Sequence, residues 1–329
     1  MAAASPWIDV HAHPGRCFLG GLPADAPLSA LLGGDGTTAA VREIAASGAS
    51  TVAFSTVADL VVLTATANGL TAGRDFEEGE AVADHQRQVE ALTSLTAHPG
   101  VRLIRHADDL ADVHRHSLVG VIITCEGADF LDGQLRGLAD AHAAGVRSVT
   151  LVHYRVNEVG DIQTEPVTHG GLTGFGAEVV TEMNRLGLLI DLAHATHQVT
   201  LDVIDRSYDP VVLSHSHLGH GQESHPRLLS DEHALAVAST GGLIGAWPAG
   251  IAVADLAGYV SEIVRLIELV GVDHVGIGTD MDANYRPVVT AYGQFNDIAA
   301  HLLARGLGPD EVTAVMGANY ARVFAAVCG

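Results

Sequence analysis

"VGVIITCE", residues 119–126, is an apolar, β-branched run that stops on a glutamate. A strand wet on one face alternates apolar with polar residues, so a run apolar at both parities reads as a strand covered on both faces. Seven other runs have this character: "WIDVHAH" (7–13), "STVAFSTV" (50–57), "VRSVTLVH" (146–153), "LLIDLAH" (188–194), "PVVLSHS" (210–216), "GLIGAWP" (242–248) and "HVGIGTD" (274–280). Amphipathic segments between them read as helices: 77–98, 135–145, 175–187, 256–271 and 295–306, several closed by a glycine suited to a left-handed cap. Eight buried strands alternating with helices predict an α/β fold, a (β/α)8 TIM-type barrel, as a single domain over 1–329. A doubly wound open sheet is the alternative, weakened because no Gly-rich phosphate loop follows the first strand. "VRLIR" (101–105) reads as peripheral. The long irregular stretch at 154–174 reads as a functional loop.

The strand ends carry the chemistry. The first strand ends in His11 and His13, the third in Glu126, the fourth in His153, the fifth in His194, the sixth in His215 and the eighth in Asp280. Each has an ordinary explanation alone: a surface histidine, a helix-start neighbour, a turn cap. In a barrel all eight C-terminal ends meet on one face, so these explanations would have to coincide there. Four imidazoles (His11, His13, His194, His215) and the Glu126 carboxylate, with no thiolate, suit Zn²⁺ or a similar transition metal. Five ligands suffice for two ions that share a bridging carboxylate and hold a hydroxide between them. Asp280 is then placed to accept and return a proton. His217 and His220 read as loop histidines, and His197 as capping or lining the next helix.

The chain has 329 residues, 48% of them hydrophobic, with 17 Lys and Arg against 39 Asp and Glu. A net charge of −22 argues against nucleic-acid and anionic-membrane partners, which need basic patches. Three scattered cysteines form no disulfide framework; Cys125, beside Glu126 on a strand, should face the opposite way into packing. The most apolar internal segment, "STVADLVVLTATANGL", is too short and polar to span a bilayer. Without a basic, apolar leader the expected location is the cytoplasm.

These residues, in order along nearly the whole chain, resemble the renal-type (membrane) dipeptidases of the amidohydrolase superfamily. The resemblance rests on "CEG" (125–127), "VRSVTLVHYRVNEVGD" (146–161), "HGGLTGFGAEVVTEMNRLGLLIDLAH" (169–194), "VVLSHS" (211–216), "HPRLLSD" (225–231), "VDHVGIGTDMD" (272–282) and "MGANYARVF" (316–324). It implies a somewhat distorted barrel of the metal-dependent hydrolase type with two zinc ions. His11 and His13 would bind the first, His194 and His215 the second, and Glu126 with a hydroxide would bridge both. It also implies that His153 stabilises the oxyanion, that Arg227 holds the free carboxylate of a small dipeptide, and that Asp280 passes a proton to the leaving amine. A homodimer is a further implication. One departure stands out: the family carries HxD at the first strand, whereas this chain has His11-Ala12-His13. One negative charge is lost, which should make the bridging water more acidic. Rival readings on the same site are an N-acyl-amino-acid amidase, a lactam or ester hydrolase, and a non-catalytic metal-binding homologue. A phosphoesterase fits less well, since no basic cluster accompanies the histidines.

Overall fold

The eight apolar runs form eight parallel strands: β1 (Ile8–Ala12), β2 (Thr51–Val57), β3 (Val119–Glu126), β4 (Val146–Thr150), β5 (Leu189–Asp191), β6 (Val212–Ser216), β7 (Leu243–Ala246) and β8 (Val275–Ile277). They are seen in a computed structural model that describes residues 7–48, 51–66, 69–219, 225–251 and 253–329. Around the sheet the order is β2, β1, β8, β7, β6, β5, β4, β3, and β3 pairs back onto β2 from Thr51↔Gly120 to Val57↔Glu126. The sheet is therefore a closed barrel, and every barrel-strand residue is buried. Closure removes the exposed edges of an open sheet, so the doubly wound alternative fails. Residues Val101–Leu103 add a short ninth strand against the start of β3, outside the barrel, as the peripheral run predicts.

The predicted helices are present within a few residues. The 175–187 segment forms Gly174–Leu186, where the Thr173 hydroxyl accepts from the Gly176 amide at 2.9 Å and Gly187 closes the last turn at φ 68°. The 256–271 segment forms Leu256–Val270, capped by Asp255. Helices Thr37–Ser47, Ala107–His116, Asp231–Ser239 and Asn319–Cys328 were not anticipated, and the helix expected at His197 spans His197–Ile204. They are short, and several are alanine-rich, so their apolar stripe contrasts weakly with the other face. A hairpin, Leu63–Thr66 with Gly69–Ala72, was also missed.

The strands are shorter than the apolar runs suggest. β4 stops three residues before His153, and β5 stops three before His194. His194 (φ 66°) and Asp280 (φ 55°) lie in left-handed turns at the rim. The pairing register also breaks beside two of the histidines, between Asp9 and Ala12 of β1 and between Ile244 and Ala246 opposite β6. Bulges of this kind re-aim side chains near active sites. At the far end, Ile8, Ala53, Ile122, Leu189, Val212 and Leu243 pack with Tyr320, Val323 and Phe324 of the C-terminal helix. That plug leaves the rim bearing the strand ends as the accessible face. Among the described residues, no helix is long and apolar enough to cross a membrane.

Candidate metal centre

Glu126, the last residue of β3, has a side chain only 3% exposed. Its Oε1 lies 2.9 Å from His194 Nε2, 3.5 Å from His215 Nε2 and 3.6 Å from His11 Nε2. Its Oε2 lies 3.3 Å from both His13 Nε2 and His153 Nε2. Five imidazoles from four strand ends or the turns after them thus aim the same ring nitrogen at one carboxylate. His11, His13 and Glu126 form one group able to hold an ion, and Glu126, His153 and His194 form another, with ligand atoms within 4.8 Å of one another. His215 Nε2 sits 3.2 Å from His194 Nε2. All five sequence-predicted ligands are together. His153, expected over the substrate, comes as close to Glu126 as the ligands do.

The far sides of three of the rings are held, whereas His194 Nδ1 is buried without a hydrogen-bond partner. His13 Nδ1 is 2.9 Å from the Ser55 carbonyl, an acceptor only, so Nδ1 carries a hydrogen and Nε2 is the nitrogen turned to Glu126. His215 Nδ1 meets the Ser214 hydroxyl at 3.1 Å, and that hydroxyl donates to Asp191 at 2.6 Å. His153 Nδ1 lies 2.6 Å from Asp59. His11 Nε2 is buried without a hydrogen-bond partner. A buried nitrogen left unsatisfied is costly in a protein alone and is the atom a metal would use. Burial and the nearby Arg227 charge hold His194 well below its ordinary pKa; burial, His11 and Arg227 do so for His215. Both imidazoles are therefore neutral. Burial pushes Glu126 up, but His153, His11, His13 and His194 outweigh it and keep the carboxyl ionised. Burial pulls His153 down, while Asp59 and Glu126 more than offset this and raise it.

Asp280 borders the group, with Oδ1 3.4 Å from His13 Nε2 and Oδ2 accepting from Trp247 Nε1 at 3.3 Å. Arg227 is not a surface ion pair. It is 2% exposed and donates from Nη1 to Gln163 Oε1 at 2.6 Å, and its guanidinium lies 5.3 Å over Trp247. Its Nε and Nη2 are buried without partners.

One other expectation needs adjusting. His217 is not a solvent-facing loop residue: it is fully buried, against Trp247 and Tyr259. His220 lies outside the described residues. His197 opens the helix after Thr196, its capping residue, and stacks on His233 at 5.0 Å. Cys125 is buried and faces away from the centre toward His85, its thiol pushed far up by burial. Asp59, Asp191, Ser214, Trp247 and Gln163 were missed. The first two carry a faint signal, a carboxylate interrupting an apolar segment; Gln163 carries none.

The family model for the membrane dipeptidases (peptidase family M19) matches residues 43–328. The chain belongs to the membrane dipeptidase family. His11 and His13 precede the matched segment. Among curated relatives of this family member, dipeptidase aclJ of Aspergillus oryzae is 30% identical over 263 residues, covering 74% of this chain and 61% of that protein. Dipeptidase tcpJ of Claviceps purpurea is 29% identical over 233 residues, covering 68% of this chain and 55% of that one. The chain thus spans less than two thirds of either relative. A metallopeptidase from Rhodobacter sphaeroides, solved with a phosphinate mimic of the dipeptide L-Ala-D-Ala, superposes with a TM-score of 0.82. The match covers 98% of this chain and 99% of that one at 21% identity, a likeness of fold.

Proposed function

We propose that this membrane dipeptidase family member is a two-metal dipeptidase that hydrolyses small dipeptides with a free C-terminal carboxylate. The observation that carries the reading is Glu126, ringed by five imidazole Nε2 atoms at 2.9–3.6 Å. The all-nitrogen-and-oxygen donor set fits zinc; His11 and His13 would hold one ion and His194 and His215 the other, with Glu126 shared between them. When bound, the ions supply an activated water and polarisation of the scissile carbonyl.

The remaining work falls to the chain. Asp280, steadied by Trp247 through Oδ2, takes the proton from the attacking water on Oδ1 and returns it to the departing nitrogen. His153, its Nδ1 anchored on Asp59, offers Nε2 as donor to the developing oxyanion. Arg227 presents its two open donors to the substrate carboxylate, a pairing that is bidentate by geometry. An N-acyl-amino acid carries the same carboxylate, so Arg227 favours the amidase reading equally, and only the N-terminal side separates the two.

The test is a panel of L,L and L,D dipeptides and their N-acetylated forms, given to zinc-reconstituted protein. The expected result is hydrolysis of free dipeptides that a chelator abolishes and zinc restores. Hydrolysis of the N-acetylated forms alone would establish the amidase. No hydrolysis of any dipeptide by protein shown to hold metal contradicts the dipeptidase.

A further inference from the structure

Arg227 is a buried cation whose side-chain hydrogen-bond partner is neutral. Gln163 Oε1 accepts from Nη1 at 2.6 Å, and Trp247 supplies a ring face rather than a charge. The Arg227 backbone is also fixed: its carbonyl accepts from the Ser216 hydroxyl at 2.8 Å, at the end of β6. Nε and Nη2 are left open. Burial lowers the Arg227 pKa from its ordinary value, outweighing Tyr154, Glu126, Asp280 and Asp191, which act on it from a distance. Where an ordinary buried arginine meets a carboxylate, this one meets an amide.

Gln163 is itself held in place. Its backbone N–H donates to the His194 carbonyl at 2.8 Å, and Ile162 pairs with Ala195. One step earlier, the Asp161 carboxylate accepts from the amides of Thr168, His169, Gly170 and Gly171 at 2.8–2.9 Å, which folds the 154–174 loop on itself. Glu165 of the same loop accepts from Thr71 of the outer hairpin at 2.7 Å. The backbone that carries the ligand His194 therefore also carries, through Gln163, the orientation of Arg227.

We propose that Gln163 is a specificity-determining positioning residue: it orients Arg227 toward the metal centre without neutralising it, and so makes the site select substrates with an anionic C-terminus. The proposal rests on the reading of Arg227 as the carboxylate anchor. A glutamate at 163, nearly the same shape, would pair with Arg227 and occupy the charge meant for substrate.

The experiment compares wild type, Gln163→Glu and Gln163→Leu, all zinc-reconstituted, on one dipeptide and its C-terminal amide. Wild type should prefer the acid. For Gln163→Glu the acid's KM should rise about 100-fold while kcat changes severalfold at most, and the acid-over-amide preference should collapse. Gln163→Leu should raise KM for the acid and leave KM for the amide unchanged, and it decides the matter if the glutamate variant does not fold. A role confined to loop stability would move acid and amide together, and that result overturns the proposal. Wild-type preference for the acid with an unaltered Gln163→Glu overturns the role of Gln163 alone. Wild type that treats acid and amide alike overturns the Arg227 anchor, and this proposal with it.

Discussion

His153 reaches Glu126 with one ring nitrogen and Asp59 with the other, at 3.3 and 2.6 Å. Asp59 lies just past β2, fully buried, and its second oxygen accepts the Tyr154 amide at 3.0 Å. It orients the ring and favours its protonated form. Asp59→Asn keeps the shape and removes the charge; kcat on dipeptides should fall roughly 10–100-fold with little change in metal content. Steady-state kinetics beside elemental analysis checks this, and an unchanged kcat would show that Asp59 serves packing only. At this scale the sequence was most legible where a residue type is rarely spent on structure. Two histidines at spacing two and a glutamate ending an apolar run announced themselves. Gln163 and Ser214 did not, because their function lies in a partner that only tertiary folding brings within reach.

Elements place these residues through small departures from regularity. The bulge in β6 turns the Ser214 carbonyl inward, where a Cβ on Gly245 or Gly278 would sit 1.8 or 1.9 Å from it. Both glycines are required by close approach of backbone to backbone, which no rotamer change relieves. Gly245→Ala should destabilise the protein by about 3 kcal/mol or more and disturb His215, the neighbour of Ser214. Thermal unfolding and metal content measure the two effects; a variant with wild-type stability would mean that β6 and β7 separate easily. Strand identity could be read from apolar runs, but not the ends. Burial continues past the last strand hydrogen bond, so hydropathy carried the predicted strands through His153, His194 and Asp280, all in turns at the rim. The short helices escaped for the opposite reason, since their stripes are too brief to stand out from alanine.

At the scale of the molecule, barrel closure gathers a dispersed pattern on one rim, and burial there and elsewhere sets an acid limit. Burial pulls His85, stacked on Phe130 at 3.9 Å, from the usual 6.5 to about 4, and His233 likewise to about 4. An unfolded chain takes up these protons near pH 6.5, the folded one only near 4. The stability from keeping each ring neutral is full above pH 6.5 and is lost as pH falls toward 4, roughly 3 kcal/mol per site. In His85→Phe the fall in unfolding temperature from pH 7 to 4 should be shallower than in wild type; parallel curves would contradict it. The eight-strand count was legible because buried parallel strands leave a distinctive apolar signature. The bulges and the C-terminal plug were not, since they depend on how the closed sheet is filled.

The most direct measurement is dipeptide turnover and zinc content on the same preparations of wild type and Asp280→Asn. Two zinc ions per chain are expected in both proteins, with turnover in wild type and a loss of about 100- to 10,000-fold in the variant. Wild-type turnover in Asp280→Asn, or two bound ions in a wild type that hydrolyses no dipeptide, would contradict the proposed mechanism.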